Sequence, residues 1–366
     1  MNAEIHPGRV LIKALSLFIL VNLLYALIEP QDSRVSAYNV FFPGRTRLPF
    51  GISDDPYTVM VDDLDTMFRA HLIAAPKGAG EFRVALIGDS SVWGENIGAY
   101  EVISEQWNKL NFACRERIIR VYNLGYPHPS VVKDLVILDK ALEYEPDLII
   151  WFVTLNTLIS RRVNPFLVTN RERAMNVLDA YDISFDPGHK LAAEKPSLYE
   201  KTLIGQRSNL ARRIKLEMLG IIWTATGADT DTLAEDDPPN FDVGDDSRYR
   251  GKEAGEDITN LLLFSALSAG HEIAGSLPVL IVNEPMFIAP RADTMIRYNG
   301  VYPRWVYDQY RQAMAAQAQN AGWIYLDLWN AVPPQYFSDA GLHLSAQGER
   351  LLIEQINPAL QALACN

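Results

Sequence analysis

Phe82-Arg83-Val84-Ala85-Leu86-Ile87, followed at once by Gly88-Asp89-Ser90-Ser91, is the stretch whose reading decides the fold. A short run rich in Val, Ile and Leu has the composition of a strand buried on both faces. Four further runs carry the same signal: Ile118 to Leu124, Leu148 to Leu155, Leu277 to Val282 and Trp323 to Leu328. Helical patterns alternate with them, at Ile97 to Asn111, Ser130 to Tyr144, Ile258 to Ala274, Arg304 to Ala321 and Ser345 to Leu363. Strand, helix, strand at this spacing implies right-handed crossovers and a parallel sheet covered on both faces.

The expected fold class is therefore α/β: a flavodoxin-like, doubly wound parallel sheet of five strands ordered 2-1-3-4-5. One interval breaks the rhythm, because residues 158–258 are far more than one crossover helix needs. In this insertion Asn209 to Thr226 puts Leu210, Ile214, Met218, Ile221 and Ile222 on one helical face. That face is expected to pack on the core, with a lid or a membrane-docking surface as the second reading. Gly227 to Asp257 is strongly acidic, offers little apolar surface to bury, and reads as a solvated loop.

Working outward to the amino end, Val10 to Ile28 is apolar except for Lys13, Ser16 and Asn22, and is long enough to span a bilayer core. Arg9 and Lys13 lie on its amino side and Glu29 and Asp32 follow it, which by the positive-inside rule leaves the bulk of the chain extracytoplasmic. Leu27, Ile28 and Glu29 make a poor cleavage site, so the segment reads as a retained single-pass anchor in the cell membrane. The expected organisation is then an anchor at residues 1–29, a linker and extension at 30–81, and an α/β domain at 82–363 interrupted by the insertion.

Composition sets the outer bounds. With 48% hydrophobic and 21% charged residues the chain is globular, and a net charge of −12 argues against nucleic acid, whose binding needs clustered Lys and Arg. Two cysteines, Cys114 and Cys365, are too few for a disulfide scaffold or a Cys-rich metal site; whether they pair stays open. No metal is expected, since the insertion's Asp residues lack the spacing of a calcium loop. No cofactor is expected either, because Lys77-Gly78-Ala79-Gly80 precedes its strand and cannot cradle phosphates as a dinucleotide loop does.

The chemistry-bearing residues gather where strands end. In open parallel sheets reactive groups collect at the carboxyl edge. Ser90 stands there, and a serine hydroxyl needs a neighbouring base. His343 follows the fifth strand and so reaches the same edge, whereas His6, His71, His189 and His271 lie elsewhere in the pattern. Asp339, just upstream, can orient the imidazole. The second strand ends at Asn123-Leu124-Gly125-Tyr126 and the third at Thr154-Leu155-Asn156-Thr157, offering a backbone N–H at Gly125 and an amide at Asn156 for an oxyanion hole with the Ser90 N–H. His128, Arg297 and Tyr298 are expected at a substrate surface, the last two on a loop also carrying Arg291, Asn299, Tyr302 and Trp305; packing of these aromatics onto the core is the other reading.

Ser90, Gly125, Asn156 and His343 in this order resemble the SGNH hydrolase superfamily, also called the GDSL type, over about Phe82 to Thr157 and Leu277 to Leu363. The resemblance implies Ser90 as nucleophile, His343 as base, and an oxyanion hole of Ser90, Gly125 and Asn156. Two positions depart from the family pattern. Thr154 stands where a Gly is usual, and Asp339 lies one residue farther from His343 than in D-x-x-H, so the imidazole is oriented either by Asp339 or by a backbone carbonyl. The resemblance further implies a membrane-anchored, extracytoplasmic serine esterase or O-acyltransferase acting on cell-envelope carbohydrate esters, beside a multi-pass membrane acyltransferase as partner. Two rival functions are a membrane-tethered assembly subunit without catalysis and a lipid esterase.

Overall fold

The structure, a computed structural model, describes residues 6–28, 44–50, 62–159, 163–183, 185, 191, 197–226, 244, 246–290 and 296–365. Its strands are β1 (Glu81–Ile87), β2 (Ala113–Cys114), β3 (Arg117–Asn123), β4 (Leu148–Val153), β5 (Val279–Asn283) and β6 (Ile324–Asp327). They form one six-stranded sheet in the order β2-β3-β1-β4-β5-β6. The neighbours from β3 through β6 pair in parallel, with Val84 opposite Val121 and Leu148, and Ile281 opposite Trp151 and Tyr325.

The sheet differs from the expected five strands by β2, which pairs antiparallel with β3 through Ala113 opposite Ile118. Two residues are too short to leave a period in the sequence, which is why this edge strand was not foreseen. A disulfide, Cys114–Cys365, ties it to the helix Ala346–Cys365 across 251 residues of chain.

Period-two alternation sends each central strand's side chains into two separate cores. Ala85, Ile87, Ile149, Trp151, Val153, Val279 and Ile281 enter one, against the helices Val131–Ala141, Phe264–Ala274 and Arg304–Ala321. Val84, Leu86, Ile150, Phe152, Leu280 and Val282 enter the other, against Ile103–Lys109 and Ala346–Cys365. Burial of each large apolar side chain contributes about 1.5–3 kcal/mol, so the central strands are firmly held. They hold the carboxyl edge rigid.

The apolar run at the amino end is the helix Pro7–Ile28, the one helix among the described residues long and apolar enough to cross a membrane. Asn22 within it accepts the Ile204 N–H at 3.1 Å, so the insertion touches this helix.

Two expectations for the insertion are corrected. In the helix Arg207–Thr226 the stripe of Ile214, Met218, Ile221 and Ile222 is 43–63% exposed, while Leu216 is buried. Arg213 meets Asp63 from the side of the helix that packs, so the apolar stripe faces outward instead of onto the core. The acidic stretch is also not wholly a solvated loop. Residues 227–243 and 245 lie outside the described residues, but Tyr249 is buried, Asp246 O accepts from Arg297, and Ser247 O accepts Trp305 Nε1–H at 2.7 Å. Its return limb has aromatic and guanidinium partners that composition counted over the whole stretch conceals.

Candidate active site

The strand β1 delivers Ser90 to the carboxyl edge and stops there. Asp89 caps the four-residue helix Ser90–Trp93, its Oδ1 accepting the Ser91 N–H at 3.1 Å. Beside it β3 ends at Asn123, whose Nδ2 donates to Val92 O at 2.6 Å and staples the two segments together. Gly125 makes this approach possible, since a Cβ there would lie 2.5 Å from Trp93 N and 2.8 Å from Val92 C. Any side chain would push the end of β3 off the serine turn.

His343 reaches Ser90 from the far end of the chain, with Ser90 Oγ and His343 Nε2 2.8 Å apart. The segment Phe337 to Leu344 folds back on itself, with an antiparallel bridge between those two residues and Ser338 N donating to His343 O at 2.9 Å. Asp339 sits inside that fold. Its Oδ2 lies 2.5 Å from His343 Nδ1, and its Oδ1 accepts the N–H groups of Gly341 at 2.8 Å and His343 at 3.2 Å. The extra residue in the Asp339 to His343 spacing is absorbed by the turn, and the carboxylate, not a backbone carbonyl, faces Nδ1.

The electrostatics follow from this geometry. Burial works against a charged Asp339, but the His343 imidazole and the two backbone N–H groups outweigh it and hold the carboxyl below its ordinary range. Burial likewise opposes a charged His343, yet Asp339, then Glu95 and Asp89, raise its pKa above the ordinary value. With a proton held on Nδ1 by Asp339, Nε2 is the basic nitrogen, and it faces the serine hydroxyl. Glu95 Oε2 is 3.3 Å from the same Nε2.

At the third strand's end β4 stops at Val153 and the short helix Leu155–Ile159 begins, so Asn156 lies in its first turn. Thr154 shapes that turn: its Oγ1 accepts the Thr157 N–H at 3.2 Å. Thr157 Oγ1 donates in turn to Asp89 Oδ2 at 3.5 Å, linking the Asn156 turn to the serine turn. Asn156 Oδ1 accepts from Tyr249 Oη at 2.8 Å and Arg250 Nη2 at 3.4 Å. The Gly125 N–H donates to Asn123 Oδ1 at 3.0 Å in this conformation. Among the expected donors, then, Asn156 keeps its amide N–H groups for other partners while the Gly125 N–H is engaged.

The remaining expected residues are distributed differently. His128 is exposed at the edge, with a positive φ of 79° and its ring 5.7 Å from that of Phe50. Arg297 is buried, its guanidinium donating to Asn299 O at 3.1 Å, Gly300 O at 2.8 Å and Asp246 O. Tyr298 is buried too, its hydroxyl donating to Asp308 at 2.8 Å. Both hold protein to protein, and Arg291 lies outside the described residues.

Several residues around the site were not foreseen. Glu95 follows the serine helix with no motif to mark it. Lys133, fully buried, donates to Gly88 O at 2.8 Å and to Tyr126 O and pairs with Asp134 at 2.8 Å, tying the ends of two strands together. Glu284, at the end of β5, shares Ser91 Oγ with Asp89; burial, with Asp89 next, pushes its carboxyl well above the usual range. The Lys133–Gly88, Ser91–Glu284 and Glu95–His343 contacts join segments far apart in sequence, so composition and periodicity give no signal for them. No group of three or more His, Cys, Asp or Glu suited to a metal ion is present among the described residues.

No family model matches the chain, and no curated protein matches it. Among solved structures it is similar to a member of the lipolytic protein G-D-S-L family from Veillonella parvula, at 11% identity and a TM-score of 0.37, covering 76% of this chain and 98% of that one. It is also similar to a carbohydrate acetylesterase family member from Sinorhizobium meliloti, at 12% identity and a TM-score of 0.33, covering 77% of this chain and 99% of that one.

Proposed function

We propose that the chain is a serine acyl-hydrolase or O-acyltransferase working through an acyl-Ser90 intermediate. The observation that carries this reading is the relay of Ser90 Oγ, 2.8 Å from His343 Nε2, and His343 Nδ1, 2.5 Å from Asp339 Oδ2. In the first step Ser90 Oγ bonds to the ester carbonyl carbon as its proton passes to Nε2. The carbonyl oxygen becomes an oxyanion facing the Asn156 amide and the Ser90 N–H. Its collapse breaks the bond to the alcohol, which leaves with the proton from Nε2. Water or a second hydroxyl then loses a proton to Nε2 and attacks the acyl carbon, and as the acyl–Oγ bond breaks Ser90 Oγ takes that proton back from Nε2. Which acceptor enters decides between hydrolase and transferase.

The proposal extends to place and substrate. The exposed apolar helix Pro7–Ile28 supports a membrane anchor, with the outward stripe of Ile214, Met218, Ile221 and Ile222 lying toward the bilayer surface. The Cys114–Cys365 disulfide supports an extracytoplasmic location, since such bonds persist in oxidising compartments. In that setting an ester on a cell-envelope carbohydrate is the proposed substrate, with a multi-pass membrane acyltransferase as the proposed source of acyl groups.

The test is reaction of the full-length protein with a fluorophosphonate probe, followed by peptide mapping. Labelling of Ser90, lost in Ser90→Ala and His343→Ala, is the expected result. A folded wild-type protein that stays unlabelled points to the non-catalytic assembly role.

A further inference from the structure

We infer that Tyr249, carried by the insertion, is a positioning residue that turns the Asn156 amide so its N–H groups face the reacting oxygen; this rests on the acyl-transfer reading above. The amide of Asn can present either an acceptor or a donor, and its terminal torsion is broad and nearly twofold. Presenting Oδ1 to an oxyanion would repel it. Two contacts remove the ambiguity: Tyr249 Oη donates to Asn156 Oδ1 at 2.8 Å, and Arg250 Nη2 approaches the same atom at 3.4 Å. A guanidinium has no acceptor, so the group it faces is the oxygen and Nδ2 must point the other way. Burial, against the pull of Arg250, pushes the Tyr249 hydroxyl up to about 12, which keeps its proton available for donation.

The hairpin that holds Tyr249 is built for fixed geometry. Tyr249 and Lys252 exchange two backbone hydrogen bonds of 3.0 Å, with Arg250 at φ 50° and Gly251 at φ 81° as the two turn residues. Positive φ at both centres is the tight hairpin turn that favours Gly at its second position. The limb before it is clamped by Arg297 on Asp246 O and by Trp305 on Ser247 O, and the Tyr249 ring lies 6.4 Å from that of buried Tyr302. Arg297, Tyr302 and Trp305 thus serve the site at one remove: they fix the hairpin, the hairpin fixes Tyr249, and Tyr249 fixes Asn156.

Tyr249→Phe keeps the ring and removes the hydroxyl. With p-nitrophenyl acetate and the full-length protein, we expect kcat to fall about tenfold and KM to change less than about twofold, part of the 10²- to 10³-fold that loss of a whole oxyanion donor costs. The rate of fluorophosphonate labelling should fall in parallel. In an Asn156→Ala background the same substitution should have no further effect, because its action passes through that amide. Unchanged kcat in Tyr249→Phe, or an equal loss with and without Asn156, overturns the positioning role while leaving the acyl-Ser90 reading intact. Absence of both turnover and labelling in the wild-type protein overturns the two together.

Discussion

Asp339 and His343 face each other across a turn, with Asp339 Oδ2 2.5 Å from His343 Nδ1 while Asp339 Oδ1 accepts the N–H groups of Gly341 and His343. One carboxylate thereby holds both the loop and the imidazole. Its two oxygens are not interchangeable, because one serves backbone donors and the other serves the ring.

That asymmetry makes Asp339→Asn informative. The amide oxygen of Asn would take the backbone N–H groups, leaving its NH₂ toward Nδ1 and forcing the proton onto Nε2. The ring then cannot accept from Ser90. Turnover of p-nitrophenyl acetate should fall by about 10²- to 10⁴-fold with the thermal unfolding curve little changed. A variant within a few-fold of wild type would show that another group orients the ring.

Glu95 offers a separate test through pH. His343 must be neutral to act as base, so kcat/KM should rise with pH as the imidazolium, raised above its ordinary value, loses its proton. Glu95→Gln removes a negative charge 3.3 Å from Nε2, which destabilises the imidazolium. The acidic limb should therefore move to lower pH and activity below neutrality should increase. Because Glu95 is 42% exposed, solvent screens the effect and salt should diminish it. A limb that stays in place, or moves upward, contradicts the assigned contact.

The disulfide bears on stability and not on chemistry. Cys114–Cys365 closes 251 residues and fastens the edge strand β2 to the last helix. Cys114→Ser with Cys365→Ser should cost about 2–5 kcal/mol of stability in denaturant titration while leaving turnover at low temperature within about twofold. Loss of turnover without loss of stability would place the bond in the wrong role.

How much of this could be read from the chain depends on the range of the signal. The central strands were legible because Val84, Leu86, Ile150 and Ile281 are buried on both faces and the composition of such runs is distinctive. Ser90 and His343 were legible as neighbours because Ser90 follows β1 and His343 lies in the loop after β6 of one parallel sheet, which converts 253 residues of separation into a shared edge. Glu95, Tyr249 and Lys133 were not, since their roles depend on where a backbone turn carries them and leave no period or motif. Arg297 and Tyr298 drew attention as exposed sugar-binding types, but residue type alone does not say which way a loop folds. The two-residue strand β2 was too short to register, and the stripe on Arg207–Thr226 was apolar without facing the core. Amphipathicity says that a helix has two faces; only packing says which one is covered.

The central claim is that Ser90 carries the acyl group, and trapping that group tests it most directly. The full-length protein is mixed with p-nitrophenyl acetate, quenched in acid within the first turnovers, and its peptides are weighed. One acetyl group on the peptide containing Ser90 is the predicted result, absent from Ser90→Ala and much reduced in His343→Ala. Turnover in the wild-type protein with no acetyl on Ser90, or turnover that survives in Ser90→Ala, would contradict the account.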